Sequence, residues 1–137
     1  MTALSPVAAS VTNKSSGSIT NGVAGEALTQ GECVFLDSDS KWYAASAIGY
    51  GDLSGKSVGI VLAPADAADE RAIVAANAGD EIDLGVTVSK GVWFLVSGTD
   101  GILEEYGDLS SGENVTFVGY GNGTNLILQP HPTGFTK

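Results

Sequence analysis

The pattern of apolar and polar positions changes once along the chain, near residue 24. Up to that point the sequence is mostly Ser, Thr, Ala, Asn and Gly, with Lys14 as its one charged side chain. Val7, Val11, Ile19 and Val23 are scattered through it without a helical or strand period. Such a segment predicts an extended arm, weakly ordered in isolation, whose few apolar residues suit pockets on a partner. From Gly25 onward, short apolar runs alternate with turn chemistry. Cys33–Leu36, then Asp37-Ser38-Asp39-Ser40, then Lys41-Trp42-Tyr43 reads as strand, polar turn, strand. A further apolar strand is expected at 57–62. The clearest period of two lies at 81–88, where Ile82, Leu84, Val86 and Val88 alternate with Glu81, Asp83, Gly85 and Thr87. Residues 92–96 are apolar on both faces and predict a central, doubly buried strand.

Asp100-Gly101 and Asn122-Gly123 suit the positive φ angles of hairpin turns, and the second separates strands at 115–120 and 126–129. Pro130 and Pro132 bar the end of the chain from a central strand. Residues 63–79 are alanine-rich, with Asp66 placed to cap a helix and Asn77 and Gly79 to stop one. Ile73 and Val74 are too few for a helical stripe, so a turn at 64–69 and a strand near 70–76 is preferred, a short helix being the alternative. A polar turn with glycine precedes an apolar strand four times, at 28–32, 53–56, 88–91 and 109–113. The spacings are unequal, so this is a recurrent way of launching strands rather than a solenoid repeat.

The expected fold is therefore mainly β: a compact, barrel-like single domain (β-tulip or sandwich-like) over 25–137, with an extended N-terminal arm over 1–24. A chain of 137 residues buries about two-thirds of its unfolded surface and needs no staple. Nineteen glycines fit a fold of many tight turns. Sixteen acidic against six basic side chains give a net charge of −10, which repels phosphate backbones, so neither nucleic acid nor an anionic membrane is an expected partner. The first residues show no basic and apolar leader, so synthesis in the cytoplasm is the expectation.

Candidate chemistry is sparse. His131, the sole histidine, lies between two prolines, a poor seat for a catalytic imidazole. Cys33, the sole cysteine, sits in an apolar run and reads as a small buried hydrophobe. Glu104-Glu105, Asp69-Glu70 and Asp80-Glu81 are adjacent carboxylates, which in a strand point to opposite faces. Asp37-x-Asp39 opens like a calcium loop, but Trp42 and Ile48 replace the glycine and glutamate that the loop requires. Gly55-Lys56-Ser57 ends like a phosphate loop whose first glycine is replaced by Tyr50. Lys90 lacks the flanks of a lipoyl or biotinyl carrier. No cofactor, no metal and no enzymatic activity are expected. Among the aromatic residues, Trp93 is expected in the core and Trp42, beside Lys41 and an acidic turn, at the surface.

The strand Gly31-Glu32-Cys33-Val34-Phe35-Leu36, the run Ser57-Val58-Gly59-Ile60-Val61-Leu62 with its Ala/Asp-rich connection, and the end of the chain resemble the capsid decoration, or cement, proteins of tailed bacteriophages, of the lambda-like type. In that end, Ser97-Gly98-Thr99-Asp100-Gly101, Tyr106-Gly107-Asp108-Leu109-Ser110-Ser111-Gly112 and Leu126-Ile127-Leu128 carry the likeness. The resemblance covers roughly 110 residues as a pattern of strands and turns. It implies a virion protein on the capsid exterior, bound to the major capsid protein, bridging capsomers and forming a homo-oligomer, with a trimer favoured. It also implies an arm that orders against the shell, with Val7, Val11, Ile19 and Val23 as its contacts by position. The alternatives are another virion module (tail or fibre) and a carbohydrate-binding β domain.

Overall fold

The computed structural model describes residues 4, 6, 11–14, 20–48 and 53–137. Eleven strands follow one another among them: β1 (Thr12–Asn13), β2 (Thr20–Ala24), β3 (Cys33–Leu36), β4 (Lys41–Ala44), β5 (Val58–Ala63), β6 (Arg71–Ala75), β7 (Glu81–Asp83), β8 (Trp93–Val96), β9 (Leu103–Glu104), β10 (Asn114–Gly121) and β11 (Leu126–Thr136). A 3-10 turn at Tyr106–Asp108 stands between β9 and β10. The fold is mainly β, as the alternation predicts. It is organised as a closed five-stranded barrel in the order β2-β4-β3-β5-β6, beside a six-stranded sheet in the order β1-β7-β11-β10-β8-β9.

The period of two explains how these layers pack. In β3, Cys33 and Phe35 face the core between barrel and sheet, while Val34 faces the barrel interior. In β5, Val58 and Ile60 take the first side and Val61 the second. Strands buried on both faces read as unbroken apolar runs, which is how both appear in the sequence. From the opposite side the sheet contributes Ile82, Leu84, Val88, Phe94, Val96, Val118, Leu126 and Leu128 to the same core. The barrel interior holds Ala24, Leu28, Val34, Trp42, Val61, Ala65, Ala72 and Val74.

Turn chemistry also lands where it is expected. In all four recurrent turns the glycine has positive φ: Gly31 at 92°, Gly55 at 77°, Gly91 at 78° and Gly112 at 91°. The closing hydrogen bonds, Glu32 N–H to Thr29 O (3.1 Å) and Glu113 N–H to Ser110 O (3.1 Å) among them, are those of a type II turn, which requires positive φ at its third residue. The residue at the start of each turn or just ahead of it, Leu28, Leu53, Val88 or Leu109, is buried. Residues 63–79 form a turn followed by β6, not a helix.

Three expectations are corrected. The strand at 81–88 stops at Asp83, whose carboxylate accepts the Gly85 N–H (2.8 Å); with Gly85 at φ 75° the chain turns, though Leu84 and Val88 stay in the core. The strand expected at 126–129 is longer: β11 runs on through Pro130 and Pro132 to Thr136. The expectation that the prolines keep this part from being a central strand holds. β11 continues there as an edge, because β7 pairs only with Leu126 and Ile127 while β10 follows the strand to Thr136.

The third correction concerns the arm, whose described part is built into the folded body. β1 pairs with β7, and β2 closes the barrel, parallel to β4 and antiparallel to β6. Leu4 donates its N–H to Leu103 O (2.9 Å), and Leu4 and Val11 are buried in the core between barrel and sheet. The cause lies in the glycines. A Cβ at Gly22 would lie 2.4 Å from Trp42 Nε1, and one at Gly25 2.2 Å from Tyr43 Cζ. The glycine pair is thus the space that the aromatic pair of β4 occupies. The expected boundary after residue 24 falls at the end of a barrel strand.

Candidate functional site

Two surfaces stand out from a well-filled body. The first is an aromatic patch on the outer face of the sheet. β8 alternates, sending Phe94 and Val96 inward and Trp93 and Leu95 outward. Ala47, Leu109, Val115 and Phe117 cover Leu95, but the cover ends before Trp93, which is 42% exposed. Trp93 lies directly opposite Tyr120 in register, with ring centroids 5.0 Å apart, and meets Phe117 edge-on at 5.7 Å. Such cross-strand aromatic pairs hold one another's geometry. Trp93, Phe117, Gln129, Pro130 and His131 line a depression of about 460 Å³ beside them. None of the five is acidic, on a chain of net charge −10.

The second surface is an apolar pole at the start of β10. Ile48, Tyr106 and Phe135 are 63%, 48% and 74% exposed. Their segments are tied together by backbone hydrogen bonds. Asn114 donates to Ala47 O through both its backbone N–H (2.9 Å) and its side-chain amide (3.0 Å), and it faces Thr136 across the β10–β11 ladder. Lys137 O accepts the Gly112 N–H (2.8 Å), while Lys137 Nζ donates to Tyr106 O (2.9 Å) and Leu109 O (2.8 Å) and lies 4.6 Å from the Tyr106 ring centre. Glu113, itself buried, accepts the Ser110 N–H and fixes the turn that leads into β10.

The four residues expected on the arm separate. Val11 is buried in the chain's own core, Val23 is 41% exposed on β2, and Val7 and Ile19 lie outside the described residues. The expectation for the tryptophans is reversed: Trp42 is 2% exposed inside the barrel, and Trp93 is at the surface. Cys33 is fully buried, and burial, aided by the charge of Glu32, pushes its thiol far above the ordinary range. His131 is exposed at the rim of the aromatic patch.

The carboxylates flagged by spacing have local partners. Asp37 takes Lys56 Nζ (2.9 Å) and the Ser38 N–H (2.8 Å), and the Lys56 hydrogen bond holds its carboxyl below the usual range. Asp39 accepts from Tyr43 Oη (2.6 Å) and the Lys41 N–H (3.0 Å), so the two point at different donors. Asp69 pairs with Lys41 (2.6 Å), and Glu81 accepts from Asn125 (2.6 Å) and Asn122 (3.2 Å). Glu32 lines a second depression, between Leu4, Pro6 and the 99–104 hairpin; burial raises its carboxyl against the lowering effect of the Thr29 N–H. Among the described residues no three His, Cys, Asp or Glu side chains converge as a metal-binding group would.

Comparison with family models, curated proteins and solved structures gives no match. Sequence reasoning missed both surfaces, because each depends on where a neighbouring segment's cover stops. One signal was available: Gly22 and Gly25, spaced by three, opposite the dipeptide Trp42-Tyr43.

Proposed function

We propose that this chain is a structural virion protein, a decoration protein that binds the outer surface of a tailed-phage capsid and stabilises it by bridging neighbouring capsomers. The observation that carries the reading is the apolar pole. Three large apolar side chains exposed on hydrogen-bonded segments at one end of a strongly acidic domain are an interaction surface rather than scatter. The resemblance of the 28–128 turn and strand pattern to phage decoration proteins gives that surface its partner, the major capsid protein. A trimer would present three poles at once, so that contacts of modest individual strength add on a symmetric lattice. Val23 stays available to the shell in this scheme, whereas Val11 serves the core.

The test is cosedimentation of the purified protein with shells assembled from the major capsid protein of the same genome. Saturable occupancy is expected, with a higher shell melting temperature. Ile48→Ser combined with Phe135→Ser should abolish occupancy while the circular dichroism and melting of the free domain stay unchanged. A folded wild-type protein that leaves shells bare sinks the proposal.

A further inference from the structure

The aromatic patch supports an activity separate from capsid binding. We propose that Trp93, Tyr120 and the depression beside them form a carbohydrate-binding site that takes a neutral pyranose ring of an oligosaccharide. The ring would stack on the exposed indole, with Gln129 and His131 bonding its hydroxyls. The geometry is that of a small-ligand site: an apolar, aromatic floor with a few polar groups at the margin. Trp93 offers an exposed indole that Tyr120 and Phe117, both on β10, pack against at 5.0 and 5.7 Å. The side chains of Gln129, His131 and Tyr120 have no protein hydrogen-bond partner among the described residues, so their donors and acceptors are open to hydroxyls. The absence of acidic lining on a chain of net charge −10 suits an uncharged ligand.

The depression is lined by five residues, of which Pro130 and Phe117 are already half-buried. A sugar ring needs one stacking face and two or three hydrogen bonds, which the patch supplies.

Two tryptophans at opposite extremes of burial make the test direct. The indole N–H resonances of Trp42 and Trp93 would be followed by ¹H–¹⁵N NMR, with Trp93→Tyr assigning the peaks. The intact protein would be titrated with glucose-, galactose- and N-acetylglucosamine-based oligosaccharides to about 10 mM, since weak single-site binding lies near the millimolar range. A saturable shift of the Trp93 resonance by at least one sugar, with Trp42 unmoved, is expected. Trp93→Ala should weaken binding about tenfold or more, and Trp93→Tyr should retain most of it.

Failure of all three sugars to shift Trp93 in the folded protein overturns the proposal, as does binding that survives Trp93→Ala. So does a third outcome: no sugar binding, together with a wild-type oligomer that Trp93→Ala converts to monomer in sedimentation. The patch would then be a contact between copies. None of these outcomes depends on the capsid assay, so the two proposals fail separately.

Discussion

Gly22→Ala is the sharpest test of whether residues 20–24 belong to the folded body. The new methyl would sit 2.4 Å from Nε1 and 2.6 Å from Cδ1 of Trp42. The indole has little room to retreat, being 2% exposed among Leu28, Val34, Val61 and Val74 inside a closed barrel. Overpacking of this kind costs about 1–3 kcal/mol, and contacts this short belong at the upper end. Gly22 does not have positive φ, so alanine adds no backbone strain there. Restricting the unfolded chain instead returns about 0.4–1 kcal/mol.

The net loss is then about 2 kcal/mol, or roughly 8 °C in melting temperature for a domain of this size. Urea unfolding by far-ultraviolet circular dichroism would measure it, with an unchanged m-value showing that the effect is on stability. Trp42→Phe frees space at the same place. The double variant should therefore recover about 1 kcal/mol relative to the sum of the singles. A Gly22→Ala protein within about 0.5 kcal/mol of wild type, with an additive cycle, would refute the packing argument and make the segment a free arm.

Other consequences can be checked with the same material. Glu113→Ala removes the buried carboxylate that accepts the N–H of the exposed Ser110 and should cost about 1 kcal/mol, with Glu113→Gln recovering part of it; equal losses in the two variants would contradict the capping role. Cys33 should react with a thiol reagent only as fast as the protein unfolds, so native-state labelling that outpaces unfolding would show the core to be open. Burial raises the Glu32 carboxyl from 4.5, so the native state keeps that proton to higher pH than the unfolded chain does. Its contribution to stability therefore falls as pH rises through the window above 4.5. Wild type should accordingly lose stability relative to Glu32→Gln as pH rises above 4.5, and a constant difference would show that Glu32 does not titrate in this way. Glu81 acts in the opposite sense: hydrogen bonds from Asn125 and Asn122 lower its carboxyl, so its contribution is present at neutral pH and lost on acidification.

What was legible in the sequence was legible for local reasons. The four glycine turns, the hairpins at Asp100-Gly101 and Asn122-Gly123, and the strands at 33–36, 58–63 and 93–96 depend on φ preferences and on burial across a pleat, both written into a few neighbouring residues. The strand near 70–76 was recoverable from too few large apolar residues for a helix. The tryptophans failed because exposure is not a local property. Lys41 and the acidic turn made Trp42 look exposed, yet Lys41 pairs with Asp69 while Trp42, next in sequence, points into the barrel. Trp93 lies in an apolar run, yet the outer cover formed by Ala47 and Leu109 protects Leu95 and stops there. The arm was misjudged for a related reason. A segment poor in large side chains was read as unable to pack, when its glycines are the complement of the bulky Trp42 and Tyr43 further along the chain.

These features also constrain how the protein can associate. A closed barrel has no strand edge to offer, and the sheet ends on two-residue strands, with Leu4 already bonded to Leu103 of β9. The longest open edge is β11 beyond Leu128, where Pro130 and Pro132 remove two backbone donors from the strand. Extension of the sheet by a partner strand is therefore disfavoured at each described edge. Specific contacts fall instead to side chains on faces and ends, which is where the exposed Phe135, Ile48, Tyr106 and Trp93 are placed. The acidic surface around them opposes indiscriminate sticking of those groups. The apolar pole and the aromatic patch then share a single design, in which backbone edges are closed or blunted and a few large side chains are left uncovered.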